Sequence, residues 1–208
     1  MAGYIYIPVP TPEMLNFARE WQAGRQLKGK QPYAILRNYE RGWRKGAKRK
    51  LGFGVLRNVT SADKVYILAH GSSQGPKDIG AERDVRLQNV NGEEKMVGNY
   101  KGYTPEQLAN VIDSEGLPKD FIDLRVFACG SAKIPPDALI FSFAHALALL
   151  LRNRGFNQIR VTGYPGNVWT SYTNRQIAGK AGMYTEKPHK GITIDAEIYR
   201  AKAHKVVY

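Results

Sequence analysis

Three short apolar runs punctuate the chain: Val65–Ala69, Leu124–Ala128 and Ile159–Thr162. Runs of that length next to turn residues predict buried strands. Around them the pattern changes to helical spacing. PEMLNFAREWQAGRQL (12–27) predicts an amphipathic helix, with Thr11 as N-cap, Pro12 in the first turn, and Leu15, Ala18 and Trp21 or Gln22 on one face. YTPEQLANVIDS (103–114) predicts a second helix, capped by Thr104, opened by Pro105, and given a capping box by Gln107. Asp137–Arg154 predicts the longest helix of the chain, with Ile140, Phe143, Ala144, Leu147, Leu150 and Leu151 along one face and Gly155 as the stop.

The remaining stretches follow other rules. DVRLQNVNGEEKMVGNY (84–100) alternates around Asn91-Gly92 and predicts a hairpin turning at that dipeptide. Ser72–Glu82 reads as a polar, glycine-containing loop, Tyr33–Leu36 as a short strand or a helix start, and Val55–Val59 fits neither period. From 171 to 208 the chain is β-rich, with GITIDAEIYRA and HKVVY as short strand-like runs. Strand and helix alternate through the middle of the sequence. That order predicts one α/β domain over residues 1–208 with a central, mostly parallel sheet between helices. In such sheets the chemistry sits just beyond the carboxyl ends of the strands.

Composition narrows the classes. A length of 208 residues with 43% hydrophobic and 24% charged residues suits one globular domain with a full core. A single cysteine leaves no internal disulfide to form, which is expected of a chain made in a reducing compartment. MAGYIYIPVP has neither the basic nor the long apolar region of a signal peptide, and no apolar run is long enough to span a bilayer. The expectation is a soluble protein, cytoplasmic as made, with export by a signal-independent route left open.

Charge adds a feature. The formal net charge is +13, and between Arg25 and Arg57 eleven Lys/Arg stand against one acidic residue, Glu40. The densest part is RGWRKGAKRK (41–50), with Trp43 inside it. Such a strip reads either as a solvated basic surface or as a site for an anionic ligand or acidic surface. No pattern of base-reading modules accompanies it, so sequence-specific nucleic-acid recognition is not expected.

Two of the strands end alike, and there the chemistry concentrates. VYILAHGSS delivers His70-Gly71 to a strand tip, and LRVFACGSA delivers Cys129-Gly130 to another. If those strands are parallel neighbours, about 4.8 Å apart, an imidazole and a thiol emerge side by side. An imidazole beside a thiol can draw off its proton, and a thiolate is the reactive nucleophile. A preformed ion pair would alkylate rapidly at about pH 6, where ordinary thiols are protonated. The Gly71 and Cys129 backbone N–H groups could then hold a developing oxyanion. Ser72 and Ser131 lie beside the pair as candidates for substrate contact; Asp63, Glu82 and Asp84 are candidate orienters of the histidine. Singly, each residue also has an inert reading, a small buried hydrophobe for Cys129 and a hydrogen-bonded structural side chain for His70. With His145, His189 and His204 scattered, no metal-ligand spacing exists and no metal or other cofactor is expected.

The sequence of features resembles the clan CD, caspase-like cysteine peptidases, and most closely the autoprocessing cysteine protease domains of large bacterial toxins. ILAHGSS (67–73), GYTPEQLANVI (102–112), LRVFACGSA (124–132), FAHALALLLRNRG (143–155) and IRVTGYPGNV (159–168) carry the resemblance, over residues 62–170. It implies a caspase-like three-layer sandwich with extra β-hairpins. It also implies a peptidase dyad of Cys129 as nucleophile and His70 as general acid and base, acting on a protein or peptide. The toxin domains are activated by inositol hexakisphosphate on basic residues, so the resemblance implies an inositol-phosphate-like polyanion as a candidate activator. With no large flanking chain or cleavage linker, a stand-alone effector or toxin is expected rather than a self-processing domain. Two other readings stand beside the peptidase: a deamidase or acyl transferase using the same dyad, and a non-enzymatic basic module binding an anionic partner.

Overall fold

The structure is a computed structural model, and it describes residues 2–37, 54–90, 93–137, 140–172 and 189–208. In chain order its elements are β1 (Gly3–Ile7), α1 (Pro12–Gln26), β2 (Ala34–Arg37), β3 (Lys64–Leu68), β4 (Ile79–Val90) and β5 (Glu93–Tyr103). They continue with α2 (Pro105–Ser114), β6 (Asp123–Phe127), α3 (Phe143–Asn153), β7 (Arg160–Gly163), β8 (Asn167–Tyr172), β9 (His189–Ile194), β10 (Glu197–Arg200) and β11 (Val206–Val207). Six strands form one sheet in the order β11-β7-β6-β3-β1-β2, parallel throughout except for β11. A three-stranded sheet, β10-β9-β8, and the two-stranded hairpin β4-β5 stand apart from it. The chain is mixed α/β, and the three strands expected from the apolar runs lie in one sheet.

Side-chain alternation assigns the layers. In the register of β3 and β6, Tyr66 faces Arg125 and Leu68 faces Phe127, so these four share one face of the sheet. Trp21 of α1 packs on that face, its ring centroid 4.8 Å from both Tyr66 and Phe127. The other face carries Val65, Ile67, Leu124, Val126 and Val161, all fully buried. Gly163 is on that second face too, and a Cβ there would stand 2.7 Å from Ala144 Cβ of α3. So α3, with α2 beside it, covers one side of the sheet, and α1 covers the other.

Both predicted capping devices form. Thr11 Oγ accepts from the Met14 N–H, and Thr104 and Gln107 make the reciprocal box at α2. Each leaves fewer helix-end donors unsatisfied. The hairpin forms as well, with Val90 opposite Glu93; Asn91 and Gly92 themselves lie outside the described residues.

Other expectations need correction. The helix predicted over Asp137–Arg154 begins only at Phe143, so α1 and not α3 is the longest helix among the described residues. Ser142 stops it from starting earlier: its hydroxyl caps the His145 N–H and donates to the Tyr208 hydroxyl at 2.9 Å. Ile140 is therefore outside the helix and 65% exposed. Residues 138–139 lie outside the described set. The predicted loop Ser72–Glu82 gives way to β4 at Ile79, because Gly80 folds back to pair with His70. β1 is a strand the sequence reading did not include; Ile5, Tyr6 and Ile7 are all fully buried where it runs between β2 and β3 with both faces covered, the same kind of unbroken apolar run as in β3 and β6. Tyr33–Leu36 resolves as strand β2, and Val55–Val59 forms a turn.

Candidate active site

β3 and β6 are adjacent and parallel, and their last paired rung is Leu68 with Phe127. His70 and Cys129 each lie two residues beyond that rung, so the two strands deliver them to equivalent positions at the same edge. Both side chains lie on the α1 side. His70 Nε2 is 3.0 Å from Glu13 Oε2 in the first turn of α1, and its ring meets Phe17 edge-on with centroids 6.1 Å apart. The Cys129 sulfur accepts the Val168 N–H of β8 at 3.4 Å.

The glycines that follow each residue are explained by close packing of the two strand tips. A Cβ on Gly71 would stand 2.5 Å from the Cys129 carbonyl oxygen, inside any permissible contact. Gly130 has φ +64°, and a Cβ there would stand 2.0 Å from the Ser72 carbonyl oxygen. Each glycine lets its backbone lie against the other tip, and Gly130 also takes the left-handed conformation that other residues resist.

Both tips are fixed from outside. His70 exchanges two backbone hydrogen bonds with Gly80, N–H to O at 2.7 Å and O to N–H at 3.1 Å. The turn after Cys129 is held by the β7–β8 connection, with Gly130 N–H donating to Gly166 O and Ala132 N–H to Tyr164 O, both at 3.0 Å. Ser131 completes that brace. It is fully buried; its hydroxyl donates to Val126 O at 2.8 Å and accepts the Tyr164 N–H at 2.9 Å. The expectation that Ser131 contacts substrate is thus corrected, because its hydroxyl is spent on the backbone beneath the turn.

The candidate orienters are corrected too. Asp63 is buried at the other end of β3, accepting from Ala2 N–H at 2.7 Å and from the Thr60 N–H and hydroxyl at 3.0 and 2.8 Å. Glu82 and Asp84 are exposed on β4, where Asp84 sits at φ +52° within the irregular register between Arg83 and Arg86. The carboxylate that meets His70 is Glu13, which sequence reasoning missed. Its only local signal was its place in the first turn of a helix, where acidic residues are common for capping reasons.

Cys129 is partly buried, and burial pushes its thiol above the ordinary value, with the Val168 N–H pulling weakly the other way. Burial thus favours the protonated thiol over the stored thiolate of a preformed ion pair. Beside His70 opens a cavity of about 380 Å³ whose lining includes His70, Gly71, Ser72, Lys77, Asp78 and Tyr100. Ser72 is exposed there, and its hydroxyl accepts the Gln74 N–H at 3.2 Å.

The basic run Arg41–Lys50, with Trp43, lies outside the described residues. At its N-terminal approach Arg25 stacks 3.6 Å from the Tyr33 ring centroid and donates to Gln31 O at 2.8 Å. No described helix is long and apolar enough to cross a membrane, and no three described His, Cys, Asp or Glu side chains are grouped to hold a metal. Comparison with family models, with curated proteins and with solved structures finds no match for this chain.

Proposed function

We propose that this chain is a thiol-dependent hydrolase of the caspase-like kind, a cysteine peptidase using Cys129 and His70 on peptide amide bonds. The observation that carries the reading is the joint placement of those two residues. They stand at equivalent positions on neighbouring parallel strands, on one face, with Gly71 packed against the Cys129 backbone. The helix layers on both faces of the sheet and the β4–β5 hairpin inserted between β3 and β6 also agree with that architecture.

In this reading His70 is the base and Cys129 the nucleophile. A carboxylate at Glu13 accepts the Nε2–H of His70, which leaves the Nδ1 lone pair as the base. Nδ1 takes the thiol proton as the sulfur attacks the carbonyl carbon. The carbonyl π pair moves to oxygen, where the Gly71 and Cys129 N–H groups receive it. The imidazolium protonates the departing amine, the C–N bond breaks, and a thioester remains. Water, deprotonated by His70, opens the thioester and restores the thiol. A thiol kept protonated by burial suits this order, since its proton leaves as the bond forms. β8 passes Cys129 through Val168 and, among the described strands, pairs with β9 alone, so an extended peptide could be added along its other edge.

The test is N-terminal mapping of a denatured protein extract after incubation with wild-type protein and with Cys129→Ala. New N-termini that require Cys129 and His70 are expected. Cleavage that persists in a folded Cys129→Ala variant would overturn the nucleophile. Conversion of side-chain amides to acids with no new N-termini would replace peptidase by deamidase.

A further inference from the structure

The cavity beside His70 has a charge that the proposed cleavage chemistry does not use. Two charged residues line it besides the histidine, and they are not equivalent. Lys77 directs its ammonium to the Asp137 carboxylate, forming an exposed ion pair. Asp78 instead takes the Tyr100 hydroxyl as a donor and is half-buried. Room for its carboxylate comes from Gly102, where a Cβ would stand 2.6 Å from Asp78 Oδ1. With Lys77 turned to Asp137, the cavity keeps one seated carboxylate, that of Asp78, in the same lining as His70.

We propose that this cavity is a subsite for a substrate side chain ending in a cation, a guanidinium or ammonium, and that Asp78 is the residue that selects it. The assignment rests on the reading of His70 and Cys129 as the reacting pair, because His70 and Gly71 wall both the dyad and the cavity. The volume, about 380 Å³, is near the lower end of small-molecule sites, roughly 300–1,000 Å³. That suits one long side chain rather than a large ligand. Pro76 and the half-exposed Tyr100 ring supply apolar surface for the methylene stem, and a ring face is a second attraction for a cation. A guanidinium would meet the carboxylate with charge-assisted hydrogen bonds, whereas a neutral side chain of the same shape would leave it unanswered. The whole chain carries +13, so selection must come from contact and not from the long-range field. It should therefore persist at about physiological salt, where the screening length is about 8 Å.

Two measurements test it together. The first compares cleavage by wild-type protein and Asp78→Asn of peptide pairs that differ only in arginine against citrulline at the residue before the scissile bond. The second follows agmatine, and its neutral urea analogue, binding to Cys129→Ala protein by NMR titration, with and without Asp78→Asn. Asparagine can still accept from Tyr100, so the fold should hold, which circular dichroism checks. Gly102→Ala is a further variant that displaces the carboxylate without removing it. The expected result is a preference of about tenfold or more for the cation in wild-type protein, lost in Asp78→Asn and weakened in Gly102→Ala. Equal use of arginine and citrulline, or agmatine binding indifferent to Asp78, overturns the subsite. If Cys129-dependent cleavage occurs without charge preference, the subsite alone fails. If agmatine binding depends on Asp78 but no amide is cut, the dyad fails and the cation site stands.

Discussion

Glu13 and His70 are 57 positions apart in the chain, and the first turn of α1 sets the carboxylate 3.0 Å from the imidazole Nε2. The pair is substantially exposed, 41% for the histidine side chain and 53% for the glutamate, so water screens it. Its contribution is orientation of the ring, with Phe17 limiting the ring from the side.

Replacing Glu13 by Ala should therefore lower kcat/KM by about fivefold or less, the size of an exposed ion pair near 1 kcal/mol. Thermal stability should barely change. Glu13→Gln, which can still accept from Nε2–H, should recover part of the loss and alter the pH profile of kcat. Steady-state kinetics across pH for the three proteins checks this; identical profiles would remove Glu13 from the site.

The thiol gives a pH prediction whose sign is set by burial. A folded value raised above that of free cysteine means less thiolate at any given pH below it. Iodoacetamide should thus modify Cys129 more slowly than free cysteine at about pH 7.5, with the rate climbing only above the free-thiol range near 8.5. Rapid labelling at about pH 6 would indicate a stored thiolate and contradict the resting state described above. Mass spectrometry of timed, quenched reactions reads the rate.

Gly71→Ala should be costly although it adds one methyl group. The clashing atom is the Cys129 carbonyl oxygen, part of a backbone that Gly166 and Tyr164 hold in place. Overpacking of this kind typically costs about 1–3 kcal/mol. Chemical denaturation should show that loss, and alkylation of Cys129 should change because the two strand tips are forced apart. An unchanged midpoint and rate would mean the tips are not packed as described.

Ser131→Ala tests the brace under the turn that follows Cys129. It removes the acceptor of the buried Tyr164 N–H and the donor to Val126 O, which should cost about 1–3 kcal/mol. Because the hydroxyl points into the protein, any loss of activity should track loss of stability, with KM for small amides unchanged. A raised KM in a stable variant would restore Ser131 to the substrate surface.

Lys190 of β9 supplies a further prediction. Its ammonium lies 3.9 Å from the Tyr66 ring centroid and 4.7 Å from that of Trp21, yet desolvation drives its pKa well below the ordinary 10.5. Between the lowered folded value and 10.5 the unfolded chain binds the extra proton, so stability should rise with pH across that window. Lys190→Met should flatten the rise and cost little stability at neutral pH. Urea unfolding at several pH values measures both.

Local chemistry alone wrote much of this molecule into its sequence. Thr11 and Thr104 cap because their hydroxyls reach helix-end donors within one turn, and the Asn-Gly dipeptide in the sequence predicts the hairpin whose strands pair at Val90 and Glu93. The apolar runs ending in His70 and Cys129 read as strands because their burial leaves an unbroken local pattern. Four features needed the tertiary structure. β1 carries the same kind of unbroken apolar run, and only its pairing with β2 and β3 shows that it belongs to this sheet. Ser131 looked like a site residue until the β7–β8 connection claimed its hydroxyl. Glu13 reaches His70 only because α1 packs across the sheet, and Asp78 shares a cavity with it only because β4 folds back through Gly80. Local patterns record what a residue does within a turn or two of chain, whereas side chains brought together from distant segments are decided by which faces pack, and packing leaves no periodic trace.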